Sequence, residues 1–362
     1  MSKRPNKTLS DLRARIDRID ERLVKLLNMR TNVAVQVGQL KKRSGGEPYV
    51  PSREKAVLAR VRQLNAGPLP DTALNAIYRE IMSASLALEK NVAVAYLGPP
   101  MTFTHQAARG RFGASVDYVP CQTVDDVFNS VQKQEAHYGV VPVENSTEGA
   151  VTHTLDRFMS TPLKICAEIL LPVSECLMAR VPRLKIKRLY SHPQVFGQCR
   201  GWLQREMAGI ELVPAASTAK AAELAANDKT AGALASRMAA EAYGLNVLAA
   251  DIQDSASNVT RFLVIGRKPS PKTGEDKTSI LFGVKQEPGT LYNALESFKK
   301  FKVNMTMIES RPCKEKAWEY LFFVDFEGHM VQPRVKRALA DLARHSTQVT
   351  VLGSYPRAPA VG

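Results

Sequence analysis

From Thr8 to Arg43 apolar residues recur at alternating steps of three and four: Leu9, Leu12, Ile16, Ile19, Leu23, Leu26, Val33, Val37 and Leu40. That is the period of one helix face, with no proline to end it. Such a helix is about 50 Å long at 1.5 Å per residue. It is too long to bury itself, so it requires partner helices, including those of a second subunit. The one gap in the stripe is occupied by Arg30. An arginine on a buried seam is costly unless an anion or a carboxylate meets it. Arg13 and Lys41 lie beside the same stripe, where snorkelling alone would accommodate them.

Gly45-Gly46-Glu47-Pro48 breaks the helix and Pro51-Ser52 starts another. Its apolar face, Val57, Val61 and Leu64, extends back to Glu54, with Arg53 alongside. A third helix after the Gly67–Asp71 turn carries Leu74, Ile77, Ile81, Ser85 and Leu88 on one side, and Glu89 follows Ser85 at i+4. Residues 1–90 hold 18 Lys/Arg against 9 Asp/Glu, so about +9 of the chain's net +15 sits in its first quarter. A nucleic-acid-binding helix would carry those charges on its exposed face. Here Arg13, Arg30, Lys41, Arg53, Glu54, Ser85 and Glu89 point inward, which predicts a pocket for a compact dianion.

This segment resembles the all-helical chorismate mutases, intertwined dimers whose long first helix spans both subunits. Leu-Arg-x-x-Ile-Asp-x-Ile-Asp, Arg30, Val-Gly-x-Leu-Lys41 and Arg53-Glu54 fall in that family's order. The resemblance implies that Arg13 (from the partner subunit) and Arg30 bind the substrate carboxylates. It places Lys41 and Glu89 at the ether oxygen and Glu54 at the ring hydroxyl, with Arg53 and Ser85 completing the pocket. To donate to that ether oxygen, Glu89 would have to be protonated. The family position near Val50, often an aspartate, is apolar in this chain.

A chain of 362 residues with 44% apolar composition predicts two or three globular domains. No apolar run reaches membrane-spanning length, and no signal-like apolar core follows the basic N-terminal residues. Five cysteines without Cys-x-x-Cys predict reduced thiols in a cytoplasm. Six scattered histidines offer no metal-ligand spacing, so chemistry without metal or cofactor is expected.

From Val92 the pattern turns to α/β: strands at Val92–Leu97 and Val116–Pro120, a helix capped by Thr102 or Thr104, and another from Thr123 to Gln134. Val140–Val143 then reads as a buried strand ending in Glu144-Asn145-Ser146-Thr147. A helix is expected to begin near Glu148, capped by one of those residues and offering free N–H groups to an anion. Asn145-Ser-Thr also matches a glycosylation sequon, without a secretory context. A second lobe is expected from Leu170, with a helix from Pro193 through Trp202. Asn258–Ile265 then returns as a strand to the first lobe. Clefts between such lobes hold small ligands.

Four phrases resemble prephenate dehydratases: Tyr-Leu-Gly-Pro-Pro-Met-Thr-Phe-Thr-His-Gln-Ala, Val-Pro-Val-Glu-Asn-Ser-Thr-Glu-Gly, Ser191-His192-Pro193-Gln194 with Gln198, and Asn258-Val-Thr260-Arg261-Phe262. Met101 replaces the glycine usual after the two prolines. The resemblance implies a two-lobed, periplasmic-binding-protein-like domain. Thr260 would sit at the leaving hydroxyl, with Glu144, Asn145, Ser191 and Gln198 lining the cleft and Arg261 binding substrate. His192 is either a substrate contact or a structural hydrogen-bonder.

After the polar linker Lys268–Lys277, the order β-α-β-β-α-β over 278–353 predicts a ferredoxin-like sandwich. Its strands are expected at Thr278–Val284, Val303–Ser310, Trp318–Phe326 and Val349–Gly353. Glu287-Pro-Gly289-Thr-Leu291 and Glu309-Ser310-Arg311-Pro312 resemble the phenylalanine-binding segments of ACT regulatory domains.

Together these resemblances imply a cytoplasmic, homodimeric or larger, bifunctional chorismate mutase–prephenate dehydratase. It would act on chorismate and prephenate and be inhibited by L-phenylalanine. Its expected domains are 1–90, 91–268 and 277–355. A non-catalytic amino-acid-binding regulator and, from charge alone, a nucleic-acid binder are the rival readings.

Overall fold

The computed structural model describes residues 8–44, 46, 49–255, 257–313 and 320–359. Helix α1 spans Leu9–Arg43, opened by a capping box in which Asp11 N donates to Thr8 Oγ1 and Thr8 N donates back to Asp11. Lys41, Lys42 and Arg43 complement the dipole of its last turn. Helix α2 is Pro51–Leu64 and α3 is Asp71–Glu89. Most of the expected break at 45–48 lies outside the described residues. Of all α1 residues only Gly38 is buried, and Leu9, Ile16, Leu23 and Leu26 are about half exposed or more. The stripe is therefore left largely uncovered by the described residues of one chain.

The first lobe runs β1 (Ala93–Leu97), α4 (Phe103–Phe112), β2 (Asp117–Cys121), α5 (Val124–Gln132), β3 (Tyr138–Asn145), β4 (Gly149–Ala150), α6 (Thr152–Phe158) and β5 (Lys164–Pro172). The second runs β6 (Cys176–Ala179), β7 (Arg188–Ser191), α7 (Pro193–Gln198), α8 (Arg200–Glu206), β8 (Glu211–Pro214), α9 (Thr218–Asn227), β9 (Ala231–Ala235), α10 (Arg237–Tyr243) and β10 (Asn246–Ala249). Strand β11 (Val259–Gly266) returns between β3 and β5, giving the order β2-β1-β3-β11-β5 beside β10-β6-β9-β7-β8. The chain thus crosses between lobes twice, and those crossings frame a cleft.

Three local expectations are corrected. No helix starts at Glu148: Asn145 Oδ1 accepts from Thr147 N and Glu148 N, and Gly149–Ala150 folds back onto β3. The N–H groups expected to hold an anion are therefore already used, and α6 starts at Thr152. Leu170 belongs to the first lobe, paired with Arg261 in β11. The single helix expected from Pro193 is divided at Cys199. Met101 has φ +69°, in the left-handed region that favours glycine, the residue the resemblance leads one to expect there.

The C-terminal unit is β12 (Asp276–Gly283), α11 (Thr290–Lys300), β13 (Met305–Pro312), β14 (Tyr320–Glu327), α12 (Pro333–Arg344) and β15 (Gln348–Pro356). The expected strand start at Trp318 lies outside the described residues. Sheet order β13-β14-β12-β15 is that of a ferredoxin-like sandwich. Leu281, Phe323, Leu352 and Tyr355 share one core with Leu155, Phe158 and Ile165 of the first lobe. No helix among the described residues is long and apolar enough to cross a membrane.

Candidate active sites

The three N-terminal helices enclose a cavity of about 320 Å³ lined by Arg30, Lys41, Arg53, Glu54, Ser85 and Glu89. Arg30 Nη1 donates to Ser85 Oγ at 3.0 Å, and Ser85 passes its own hydrogen to Ile81 O. Lys41 Nζ lies 3.2 Å from Glu89 Oε1. The hydroxyl that interrupts the α3 stripe thus orients the arginine that interrupts the α1 stripe. Arg13 is exposed and absent from this cavity. Seventeen residues of helix put it roughly 25 Å from Arg30.

Sequence reasoning missed Tyr49, Arg79 and Arg111, which also line the cavity. Arg79 was findable, because Arg79, Met82, Leu86 and Glu89 follow helical steps of three and four on α3. Arg111 gave no local signal, since it arrives from α4, beyond the helical unit.

A second polar group crosses the cleft between the lobes. Asn145 Nδ2 donates to Thr260 Oγ1 at 2.9 Å and to Asn258 Oδ1 at 2.8 Å. Asn258 Nδ2 donates to Gln198 Oε1 and Gln198 Nε2 to Glu148 Oε1, both at 3.3 Å. Residues from β3, β11 and α7 are thereby held in one chain. Thr260 accepts from Asn145, so its own hydroxyl hydrogen remains available to donate. Ser191 is fully buried, donating from Oγ to Leu234 O at 2.8 Å. His192 caps α7, its Nδ1 accepting from Gln194 N at 3.4 Å, a structural bond.

Arg261, expected to bind substrate, is committed elsewhere. Neighbours on a strand face opposite sides, and while Thr260 meets Asn145, Arg261 meets Glu168 at 2.9 Å, Asp325 at 2.5 Å and Tyr355 Oη at 3.0 Å. Glu144 follows Arg261, at 3.7 Å, rather than its neighbour Asn145. Burial pushes the Glu168 carboxyl up, but Arg261 and Lys277 outweigh it and hold the group below the usual carboxylate range. Burial alone would lower Arg261, and Asp325, Tyr355 and Glu168 raise it instead. The strand bearing Thr260 is thus tied to the C-terminal sandwich through charge.

Glu175 occupies the first crossing between lobes, 1% exposed, with neither carboxyl oxygen hydrogen-bonded among the described residues. Burial pushes it from 4.5 up to about 8. A raised folded-state value gives stability that is complete below pH 4.5 and lost as pH rises toward 8. Glu175→Gln removes that loss, by roughly 3 kcal/mol near pH 7. Thermal melts should show the variant melting above wild type at pH 8 and the two converging by about pH 5. Parallel curves across that range would contradict a neutral, buried Glu175.

In the sandwich, Gly289 adopts φ +82° just before α11, and Leu291 lies in the first turn. Glu309, Ser310, Arg311 and Pro312 end the edge strand β13, and Arg311 Nε donates to Asp156 Oδ1 of α6 at 2.8 Å.

Residues 94–270 match the family model described as prephenate dehydratase, and residues 12–90 that described as chorismate mutase type II. A bifunctional chorismate mutase/prephenate dehydratase of Aquifex aeolicus is 49% identical over 355 residues, covering 97% of this chain and 98% of the relative. One from Pseudomonas aeruginosa is 42% identical over 357 residues, with 97% and 98% covered. Among solved structures, the prephenate dehydratase from Arthrobacter aurescens in complex with L-Phe superposes with TM-score 0.69 at 37% identity, over 75% of this chain and 92% of that one. With such identity along nearly its whole length, the chain belongs to the family of bifunctional chorismate mutase/prephenate dehydratases.

Proposed function

We propose that the family's two activities divide over this chain as follows: chorismate rearranges to prephenate in the helical pocket, and prephenate becomes phenylpyruvate in the interlobe cleft. The first step is a concerted pericyclic rearrangement that needs no nucleophile, only a compact conformer and stabilised charge on the ether oxygen. Arg30, oriented by Ser85, takes one carboxylate, and Arg13 of a second copy takes the other. Lys41 and Glu89 serve the ether oxygen, Glu54 accepts a hydrogen bond from the ring hydroxyl, and Arg53 closes the pocket. What carries this reading is the convergence of Arg30, Lys41, Glu54, Ser85 and Glu89 on one cavity.

In the cleft Thr260 donates to the departing hydroxide as carbon dioxide leaves and the ring becomes aromatic. Asn145 holds the threonine, while Gln198 joins the second lobe to it. Ser191 and His192 support the cleft by fixing β7 and the start of α7. Arg261 and Glu144 act from behind the strand.

The helical unit 1–90, the cleft unit 91–268 and the sandwich 277–355 are the proposed functional domains. The exposed α1 stripe pairs with that of a second copy to form a homodimer. L-Phenylalanine binds the sandwich at Gly289, Leu291 and Glu309–Pro312 and inhibits the dehydratase. The setting is the cytoplasm. Incubating the purified chain with chorismate should yield phenylpyruvate and carbon dioxide, whereas unchanged chorismate would exclude the mutase assignment.

A further inference from the structure

The helical pocket is completed by the α/β unit. Arg111, in the last turn of α4, places Nη2 3.2 Å from Glu54 Oε2 and donates from Nε to Tyr49 Oη at 2.5 Å. Tyr49 Oη donates to the same Glu54 oxygen at 3.0 Å. The guanidinium also lies over the Tyr49 ring, 5.7 Å from its centre, and that ring packs on Phe112 and Tyr138. Glu54 and Arg111 are 11% and 23% exposed, so the charge pair is only weakly screened. Around it the two units are docked by Ala114 N donating to Glu80 Oε2 at 2.9 Å and Ser115 N to Ser83 Oγ at 3.0 Å.

We infer that Arg111 is a positioning residue for the mutase reaction, supplied by the dehydratase unit, and that it acts through Glu54. The inference rests on the assignment of the helical pocket to chorismate. Arg111 and Tyr49 both engage Oε2, which fixes the rotation of the carboxylate and leaves Oε1 to accept a substrate hydroxyl. A pocket for a dianion also cannot hold an unpaired carboxylate without repelling its ligand, and Arg111 cancels that charge. The arrangement makes the second unit part of the first unit's site.

The test is kinetic, on the full chain. Arg111→Ala should lower mutase kcat/KM by about 10–100-fold, the range expected for losing a bond to a charged group. Its prephenate turnover should stay within about twofold of wild type, and Arg111→Lys, which keeps the charge but not the fork that reaches both Glu54 and Tyr49, should recover only part of the loss. In a Glu54→Gln background, where no carboxylate needs holding, adding Arg111→Ala should cost less than about threefold. Glu80→Ala loosens the same docking without touching Glu54 and should leave the mutase near wild type. A near-wild-type Arg111→Ala mutase, an undiminished loss in the Glu54→Gln background, or an equal loss in Glu80→Ala would each overturn the role of Arg111. A wild-type chain inert toward chorismate would overturn the pocket assignment as well, and so is distinguishable from these outcomes.

Discussion

Gly38→Ala should abolish most chorismate turnover while leaving prephenate turnover intact. Gly38 is the one buried residue of α1, and the side chain of Glu89 crosses α1 at that point. A Cβ there would overlap Glu89 Cγ and stand 2.7 Å from its Cδ. Both atoms belong to the group that meets Lys41, so Glu89 must move from the pocket wall and take the ion pair with it. Displacing a positioned group by about 1 Å costs about 100-fold in rate. Alanine favours the helix over glycine by about 1 kcal/mol, so helix propensity does not work against the variant. Kinetics with each substrate decide the matter. A mutase within about threefold of wild type would show that Glu89 has no fixed role.

Arg261→Ala should be the most destabilising single change in the α/β and C-terminal units. It takes the cation from Asp325, 0% exposed, and leaves Glu168, 4% exposed, with Lys277 and the Ala358 N–H. Breaking a buried pair by removing one partner costs roughly 3–5 kcal/mol, because the remaining charge is uncompensated. The same residue joins β11, which carries Thr260, to β14 through Asp325 and to β15 through Tyr355, and both of those meet Ser279 of β12. Phenylalanine inhibition should therefore weaken along with stability. The lever is a two-site coupling of about 1–3 kcal/mol, or roughly 5–150-fold in affinity. Denaturant melts and dehydratase assays with and without phenylalanine measure both effects. Wild-type stability with full inhibition would mean the charge network carries neither.

Much of this was legible in the residues, and the exceptions have physical causes. Helices α1 to α3 are written in apolar spacing, and Arg30 and Ser85 stood out because each interrupts a stripe. The turn after β3 was misread because an N-cap and an Asx turn use the same contact. In both, an Asn oxygen accepts from N–H groups two or three residues on. Here Asn145 spends it on Thr147 and Glu148, and the chain turns back as β4. The resemblance implies substrate binding by Arg261 beside Thr260, whereas strand alternation sends the two side chains to opposite faces. The partners of Arg261 are spread over separate strands: Glu144 in β3, Glu168 in β5, Asp325 in β14 and Tyr355 in β15. No local pattern could have named them. Tyr49 and Arg111 meet across two units for the same reason.

The central claim is that one chain holds two separate sites, one built on Arg30 and the other on Thr260. Assaying Arg30→Ala and Thr260→Ala with chorismate and with prephenate tests it most directly. Arg30→Ala should fail on chorismate yet convert added prephenate at the wild-type rate. Thr260→Ala should consume chorismate normally and accumulate prephenate without forming phenylpyruvate. Equal loss of both activities in either folded variant would contradict the account.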